Sequence, residues 1–168
     1  MKRDNTRGFT LVELMVTITV ASILLGIGVP SLTTLLRYYH TDSVLNQLKQ
    51  TIWLARNQAI NYGVRVTLCH LENGSCSEQN WQHGITVFAD VNANYQLDET
   101  ETVLYQLEQL DEDSEIFFNR RAIRFLPTGL ASGMNGTMSY CPNSDDVPDR
   151  SIVVNQAGRI RLSDTTHC

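Results

Sequence analysis

Two arginines near the C-terminus form the clearest site for a charged ligand. They lie in the segment Gly158-Arg159-Ile160-Arg161. If this segment forms a strand, Arg159 and Arg161 project from one face, while Ile160 and Leu162 face inward. The two guanidinium groups are then about 6–7 Å apart, at ~3.3 Å per residue, which matches the spacing of successive phosphates along one DNA strand. The pattern therefore predicts contact with a phosphate backbone. Alternating arginines on an exposed edge strand for solubility are the alternative.

The charge distribution limits how such a ligand could be held. The chain carries 13 basic and 18 acidic residues, a formal charge of −5, which argues against bulk electrostatic attachment to nucleic acid or anionic lipid. Residues 116–168 are locally basic, with six Arg against four Asp. Useful affinity therefore needs further arginines, with Arg150 and Arg124 as the weaker candidates, or several copies acting together.

One loop has the ligand spacing of a calcium site. Five oxygen-bearing side chains occupy positions one, three, five, nine and twelve of the EF-hand register: Asp90, Asn92, Asn94, Asp98 and Glu101. Tyr95 stands where that loop requires Gly, and strand-like segments flank it instead of helices. The favoured interpretation is an Asx-rich turn whose side chains bond their own backbone, with calcium binding as the alternative.

The sequence shows no catalytic constellation. It has no nucleophile elbow, HExxH pair, Walker loop or dinucleotide fingerprint. The histidines are scattered at positions 40, 70, 83 and 167. We therefore expect neither an enzyme nor a bound cofactor.

The N-terminal element is an apolar segment, Phe9–Val29, that follows a short basic leader and precedes Pro30. As a helix it is about 31 Å long at ~1.5 Å per residue, close to the ~30 Å core of a bilayer. Glu13 is its only charged residue. A carboxylate at that depth costs at least ~2.5 kcal/mol, so Glu13 is a functional candidate. Cleavage after Gly8 would create a positive amine that could neutralise Glu13 in a neighbouring copy.

Beyond Pro30 the helical periodicity resumes and predicts an amphipathic helix over residues 30–62. One apolar face repeats at spacings of three and four: Leu45, Leu48, Ile52, Ala55 and Ala59. Gly63 is the expected stop.

The remaining residues, 63–168, alternate short β-type runs with turn residues. Eight strands are predicted, over residues 64–69, 85–89, 102–107, 115–118, 122–126, 136–141, 151–155 and 159–162. A hydrophobic content of 42% with 18% charged residues suffices for a buried core. The predicted fold class is α+β, with a long N-terminal helix packed on a β-rich head (residues 63–168) of two antiparallel sheets.

The N-terminus resembles the type IV prepilin signature, which combines a basic leader, Gly8 before the cleavage point, Phe9 as the new N-terminus, Glu13 at the fifth mature position and Pro30 at the twenty-second. Three further segments are similar to the FimT/FimU minor pilins and the related GspH pseudopilins: WLARNQAINYGVRVTLC, NWQHGITVFADVNAN and AGRIRL.

This resemblance implies the type IV pilin fold, and with it processing at the N-terminus, residence in the membrane and assembly into a filament. A prepilin peptidase would cleave after Gly8, and Phe9 would be N-methylated. The chain would reside in the inner membrane with its head in the periplasm, then join other pilins through Glu13 in a surface filament. The implied division is a leader at 1–8, a transmembrane and filament-core helix at 9–29, an amphipathic helix at 30–62 and the head at 63–168. Loss of Lys2, Arg3, Arg7 and Asp4 takes the 13 basic and 18 acidic residues to 10 and 17, a formal charge of −7.

The C-terminal GRxR pattern also resembles the DNA-contacting motif of FimT-type pilins, which implies a DNA-binding role for Gly158, Arg159 and Arg161. The expected function is that of a type IV minor pilin whose head binds extracellular DNA without sequence specificity during uptake in natural transformation. Two alternatives stay open. One is a structural role in a tip complex that primes pilus assembly, and the other is a pseudopilin role in type II secretion.

Four cysteines permit three disulfide pairings. Export to an oxidising compartment favours disulfides over a zinc site that would combine cysteines with His70 or His167. We favour Cys69–Cys76, which closes a tight loop around Asn73-Gly74. The partner pairing Cys141–Cys168 would tie down the C-terminus.

Overall fold

The structure is a computed structural model that describes residues 8–110, 114–144, 146–164 and 167–168, without the side chain of Pro30. Residues 1–7 of the predicted leader lie outside the described residues. The chain divides into two compact units, one ending at Tyr39 and the other running from His40 to Cys168. The second half of the helix therefore belongs to the same unit as the head, since it contributes to the core of the head.

A single helix, α1, spans Leu11–Tyr62. At its start the hydroxyl oxygen of Thr10 accepts a hydrogen bond from the backbone N–H of Glu13 at 3.2 Å, the first half of a capping box. At its end Gly63 has φ +65°, the left-handed conformation that glycine adopts at a helix C-terminus. The predicted apolar face is confirmed, because all five of its residues are at most 2% exposed: Leu45, Leu48, Ile52, Ala55 and Ala59.

Nine strands and one short 3₁₀ helix follow among the described residues. The strands are β1 Val66–Glu72, β2 Ser75–Ser77, β3 Ile85–Ala89, β4 Val103–Leu107, β5 Glu115–Phe118, β6 Ile123–Phe125, β7 Gly136–Cys141, β8 Arg150–Val154 and β9 Ile160–Ser163, with the 3₁₀ helix at Trp81–His83. The first sheet has the order β2-β1-β3-β4, and β6 pairs with β1. The second has the order β5-β7-β8-β9, and all pairings are antiparallel. The α+β class and the two antiparallel sheets are confirmed.

The one strand missing from the prediction, β2, lies in the hairpin that follows Asn73-Gly74. These two residues have φ +51° and +77°, as a type I′ turn requires. Strand β2 is three residues long, with Ser75 and Ser77 flanking Cys76. So short a polar run gives no hydrophobic alternation, and the hairpin turn is what creates the strand.

The core of the second unit joins the inner face of α1 to both sheets. Its largest fully buried side chains include Trp81, Phe88, Phe125 and Tyr140. The Trp81 and Phe118 rings pack edge to face, with centroids 5.3 Å apart. This shared core fixes the second sheet, and hence the β8–β9 hairpin, against the helix.

Both favoured disulfides are present. Cys69–Cys76 spans the β1–β2 hairpin, and Cys141–Cys168 joins the end of β7 to the last residue of the chain. Because β8 separates β7 from β9, the second disulfide anchors the segment that follows the edge strand β9. It therefore restrains the strand that carries Arg161.

Candidate functional site

The N-terminal part of α1 exposes an apolar surface. It belongs to a helix that is long and apolar enough to cross a membrane, by length and composition. The hydroxyls of Thr17, Thr19 and Ser22 donate to carbonyl oxygens three or four residues earlier in the helix. These bonds satisfy the hydroxyls without water, which suits a lipid environment.

Glu13 is the third residue of this helix. Its carboxylate therefore sits in the first turn, where the exposed backbone N–H groups and the helix dipole favour negative charge. Phe9, two residues before the helix, is 83% exposed. The arrangement presents an acidic group beside an exposed apolar surface, at the end of the helix nearest the predicted cleavage point.

At the other end of the chain, the turn between β8 and β9 holds the predicted phosphate-binding motif. The N–H of Gly158 donates to the carbonyl oxygen of Asn155 at 2.9 Å, and the N–H of Asn155 donates to that of Arg159 at 3.0 Å. The Asn155 side chain accepts a further bond from the Arg159 N–H at 2.9 Å. Arg159 thus belongs to the turn and not to the strand, which begins at Ile160.

Gly158 is buried, with φ +73°. A Cβ at this position would lie 2.3 Å from the carbonyl oxygen of Gly129 and 2.9 Å from Nε of Arg56. Glycine has no Cβ, so it alone can adopt this φ while its backbone packs so closely against Gly129 and Arg56. Gly158 therefore fixes the backbone of the turn that carries Arg159, and its expected contact with DNA stays a prediction.

Arg56 of α1 fixes the turn from the helix side. Its Nε donates to the carbonyl oxygen of Gly129 at 3.0 Å and its Nη2 to that of Ala157 at 3.2 Å. These partners lie 73 and 101 residues away in sequence. Arg56 could not be predicted from the sequence, because no local pattern signals contacts across such separations.

A groove of about 360 Å³ lies between this turn and the helix. It is lined by Lys49, Gln50, Trp53 and Arg56 from α1 and by Gly158, Arg159 and Ile160 from the hairpin. The Trp53 side chain is 60% exposed. Trp53 and Lys49 were not predicted as site residues either. The sequence does place them one helical turn apart and outside the apolar face of the helix.

Arg161 lies on β9, opposite Val153 of β8, and is exposed. Neither its guanidinium nor that of Arg159 makes a hydrogen bond or ion pair with another described residue, so both are available to a ligand. Leu162 lies on the same face of the sheet as buried Ile152, as expected, but it is not covered. Leu162 is 44% exposed although it pairs with buried Ile152, because β9 is the edge strand of its sheet.

The two weaker DNA-binding candidates differ in accessibility. Arg124 is 6% exposed, with Nη2 at 2.6 Å from Oδ2 of Asp90 and Nε donating to Oγ1 of Thr67 at 3.1 Å. Its guanidinium also stacks 3.7 Å from the ring centre of Tyr95. The proposal that Arg124 contacts DNA is therefore wrong, because its charge is buried and paired. Arg150 is half-buried, with Nε 3.8 Å from Oδ1 of Asp164, and this neighbouring carboxylate lowers its positive potential.

The polar side chains of the calcium-like loop, residues 90–101, form hydrogen bonds within the protein. Asp90 accepts from Thr67 and Arg124 through Oδ2 and from the backbone N–H of Asn94 through Oδ1. The side-chain amides of Asn92 and Asn94 both donate to Asp98. The backbone N–H groups of Val91 and Asp98 donate to Glu101. These contacts are those of an Asx-rich turn.

The other described group with metal-ligating atoms in proximity is Cys141, Asp149 and Cys168. Its two sulfurs are bonded to each other and are therefore not thiolate ligands.

The family model for the Type II transport protein GspH matches residues 44–158, about two thirds of the sequence. The chain belongs to the GspH family. Residues 3–29 of this GspH-family protein also match the prokaryotic N-terminal methylation motif. The matches together cover the apolar helix, its carboxylate and most of the second unit.

Solved structures share the fold of this GspH-family protein. The type IV minor pilin FimU of Pseudomonas aeruginosa superposes with a TM-score of 0.58 at 17% identity, over 73% of this chain and 87% of FimU. The minor pseudopilin EpsH of the Vibrio cholerae type 2 secretion system gives a TM-score of 0.50 at 16% identity, over 73% of this chain and 94% of EpsH. At such identities the likeness is one of fold.

Among curated proteins, Prepilin peptidase-dependent protein D of Escherichia coli K12 is 39% identical over 71 residues, or 42% of this chain. The match spans 41% of that protein. The chain of this GspH-family protein thus combines the N-terminal methylation motif with the fold seen in FimU and EpsH. Its apolar N-terminal helix fits membrane anchoring.

Proposed function

We propose that this protein is a minor pilin of a type IV pilus whose head binds extracellular DNA, without sequence specificity, during DNA uptake. The observation that carries the proposal is the β8–β9 hairpin, where Arg159 and Arg161 are exposed and their guanidiniums have no hydrogen-bond or ion-pair partner among the described residues. Arg56, Gly158 and the Cys141–Cys168 disulfide hold that hairpin in place. Arginines so placed can bind phosphates, and phosphate contacts carry no direct sequence information.

The N-terminal residues support the assembly half of the proposal. Cleavage by a prepilin peptidase in the inner membrane would free the amine of Phe9, which would then be methylated. Glu13, in the first turn of an exposed apolar helix, would pair with the amine of a neighbouring pilin. That pairing offsets the cost of a carboxylate at membrane depth and fixes the axial register of the subunits.

DNA binding is tested with the full chain in detergent micelles and a fluorescent duplex of about 30 base pairs, at about 20 and 200 mM salt. We expect salt-sensitive binding by the wild type. The double variant R159Q/R161Q removes two phosphate contacts, which should reduce the slope of log K against log[salt] by about two. The charge-matched control R65Q/R120Q changes two exposed arginines elsewhere and should keep the wild-type slope. Equal losses in both double variants would refute a specific DNA-binding hairpin.

The same variants separate the competing roles in cells. Under the DNA-uptake role, R159Q/R161Q abolishes transformation and leaves surface pili at wild-type numbers. Under a tip-priming role the variant reduces surface pili, with the arginines contacting another minor pilin. Under a secretion role, R159Q/R161Q changes neither transformation nor the number of surface pili. Deletion of the gene instead blocks export of secreted proteins.

A further inference from the structure

The groove beside Arg159 has the composition of a nucleotide site. The Trp53 indole stands exposed on α1, outside the apolar face that packs into the core, whereas Trp81, the other tryptophan of the chain, is fully buried. Lys49 is one helical turn before Trp53 and so lies on the same side of the helix. Across the groove the turn supplies Arg159.

Charge and size favour an anionic, partly aromatic occupant. The seven lining residues include Lys49, Arg56 and Arg159 and no acidic residue. Arg56 is committed to two backbone carbonyls, so Lys49 and Arg159 are the cations left for a ligand. A volume of about 360 Å³ is at the lower end of the range for sites that enclose a small organic group, about 300–1,000 Å³.

We infer that this groove binds one nucleotide of single-stranded DNA, with its base stacked on Trp53 and its flanking phosphates contacted by Lys49 and Arg159. The inference rests on the proposed DNA-binding function and adds a preference for unpaired strands. An indole stacks on any base through its π-face, but in a duplex both faces of an internal base are covered by its neighbours. A duplex therefore contacts the arginines of the hairpin and leaves Trp53 unused.

The test compares three ligands on the full chain in detergent: a dT oligonucleotide of about 12 residues, an abasic phosphodiester of the same length, and the duplex. Trp53→Leu keeps apolar bulk and removes the π-face, and Trp53→Phe restores an aromatic ring. We expect W53L to bind the dT strand about 5- to 150-fold more weakly than the wild type, the range for loss of one stacked base. Binding of the abasic strand and of the duplex should change less than about twofold, and W53F should recover part of the lost dT affinity.

Fluorescence gives a second readout. Because Trp81 is buried, quenching of the tryptophan emission by the dT strand reports on Trp53, and the abasic strand should not produce it. Wild-type dT affinity in W53L, or quenching by the abasic strand alone, would overturn the inference.

If R159Q/R161Q weakens duplex binding while W53L changes nothing, the single-strand site is wrong and the proposed function stands. If the wild type binds none of the three ligands, both are wrong. A W53L variant that binds DNA normally but assembles fewer pili would assign the groove to a neighbouring pilin.

Discussion

The guanidinium of Arg56 donates to the carbonyl oxygen of Ala157 at 3.2 Å, so a helix residue holds the turn that carries Arg159. The same side chain also donates to the carbonyl oxygen of Gly129 at 3.0 Å, which attaches the backbone at Gly129 to the helix as well. The arginine pair at the surface thus depends on a third arginine, which is half-buried and faces inward. In the proposed function, Arg159 and Arg161 contact the ligand and Arg56 positions them.

Arg56→Gln should therefore weaken both folding and DNA binding. The substitution removes two hydrogen bonds from a charged donor, for which we expect a loss of about 1.5–3 kcal/mol in the free energy of unfolding. DNA affinity should fall as well, because the turn loses its attachment to the helix. Denaturant unfolding and duplex titration measure the two effects. Arg65→Gln is the matched control, since Arg65 is exposed and donates one bond, to the carbonyl oxygen of Val91. Equal destabilisation by both substitutions would contradict the role given to Arg56.

The two disulfides should contribute unequally to stability. Cys141 and Cys168 are 27 residues apart in sequence, and Cys69 and Cys76 are seven apart. In the loop-entropy model, replacing the first pair by serine costs about 3–4 kcal/mol and replacing the second about 2–3 kcal/mol. Unfolding of the two double-serine variants by denaturant checks the order. Amide exchange in β9 should rise in the Cys141→Ser/Cys168→Ser variant alone, and unchanged protection of β9 would show that the disulfide does not restrain it.

Local periodicity accounts for what the sequence could predict. The buried face from Leu45 to Ala59 repeats every three or four residues, and all the described strands except β2 carry enough apolar residues to be recognised. The Asn73-Gly74 turn signal predicted a tight loop between Cys69 and Cys76, which is why that pairing could be favoured although strand β2 was not predicted. In each case the information lies within a few residues along the chain.

Contacts between segments that are distant in sequence account for the residue environments that could not be predicted. Arg124 was expected to be a surface cation, and Asp90 to open an Asx-rich turn, with a calcium loop as the alternative. The structure pairs these residues with each other in the core, at 2.6 Å. Thirty-four residues separate them, and no local pattern records the pairing. The groove was missed for the same reason, because its two sides come from residues 49–56 and 158–160.

The buried pair of Arg124 and Asp90 should be strongly coupled. Arg124→Met leaves a buried carboxylate without its cation, and we expect a loss of about 3–5 kcal/mol in the free energy of unfolding. Asp90→Asn in the same chain removes the uncompensated charge and keeps an acceptor for Thr67. The double variant should therefore be more stable than R124M alone. Denaturant unfolding of the wild type, both single variants and the double variant completes the cycle. Strict additivity would show that the two charges do not stabilise each other.

Gly158→Ala should disrupt the candidate site without altering any charge. Two costs act at this position: the left-handed φ of +73°, and a Cβ placed 2.3 Å from the carbonyl oxygen of Gly129. Gly133→Ala isolates the first cost, because Gly133 has φ +65° and open space around its Cβ position. We expect G133A to lose about 1–2 kcal/mol of unfolding free energy and to bind DNA as the wild type does.

G158A should lose more unfolding free energy than G133A, since the backbone must move to admit the methyl group, and that movement displaces Arg159. Its DNA affinity should therefore fall although every arginine is present. Parallel denaturant unfolding and duplex titrations of the two variants measure this, and wild-type DNA affinity in a destabilised G158A would mean that the position of the turn does not matter for binding.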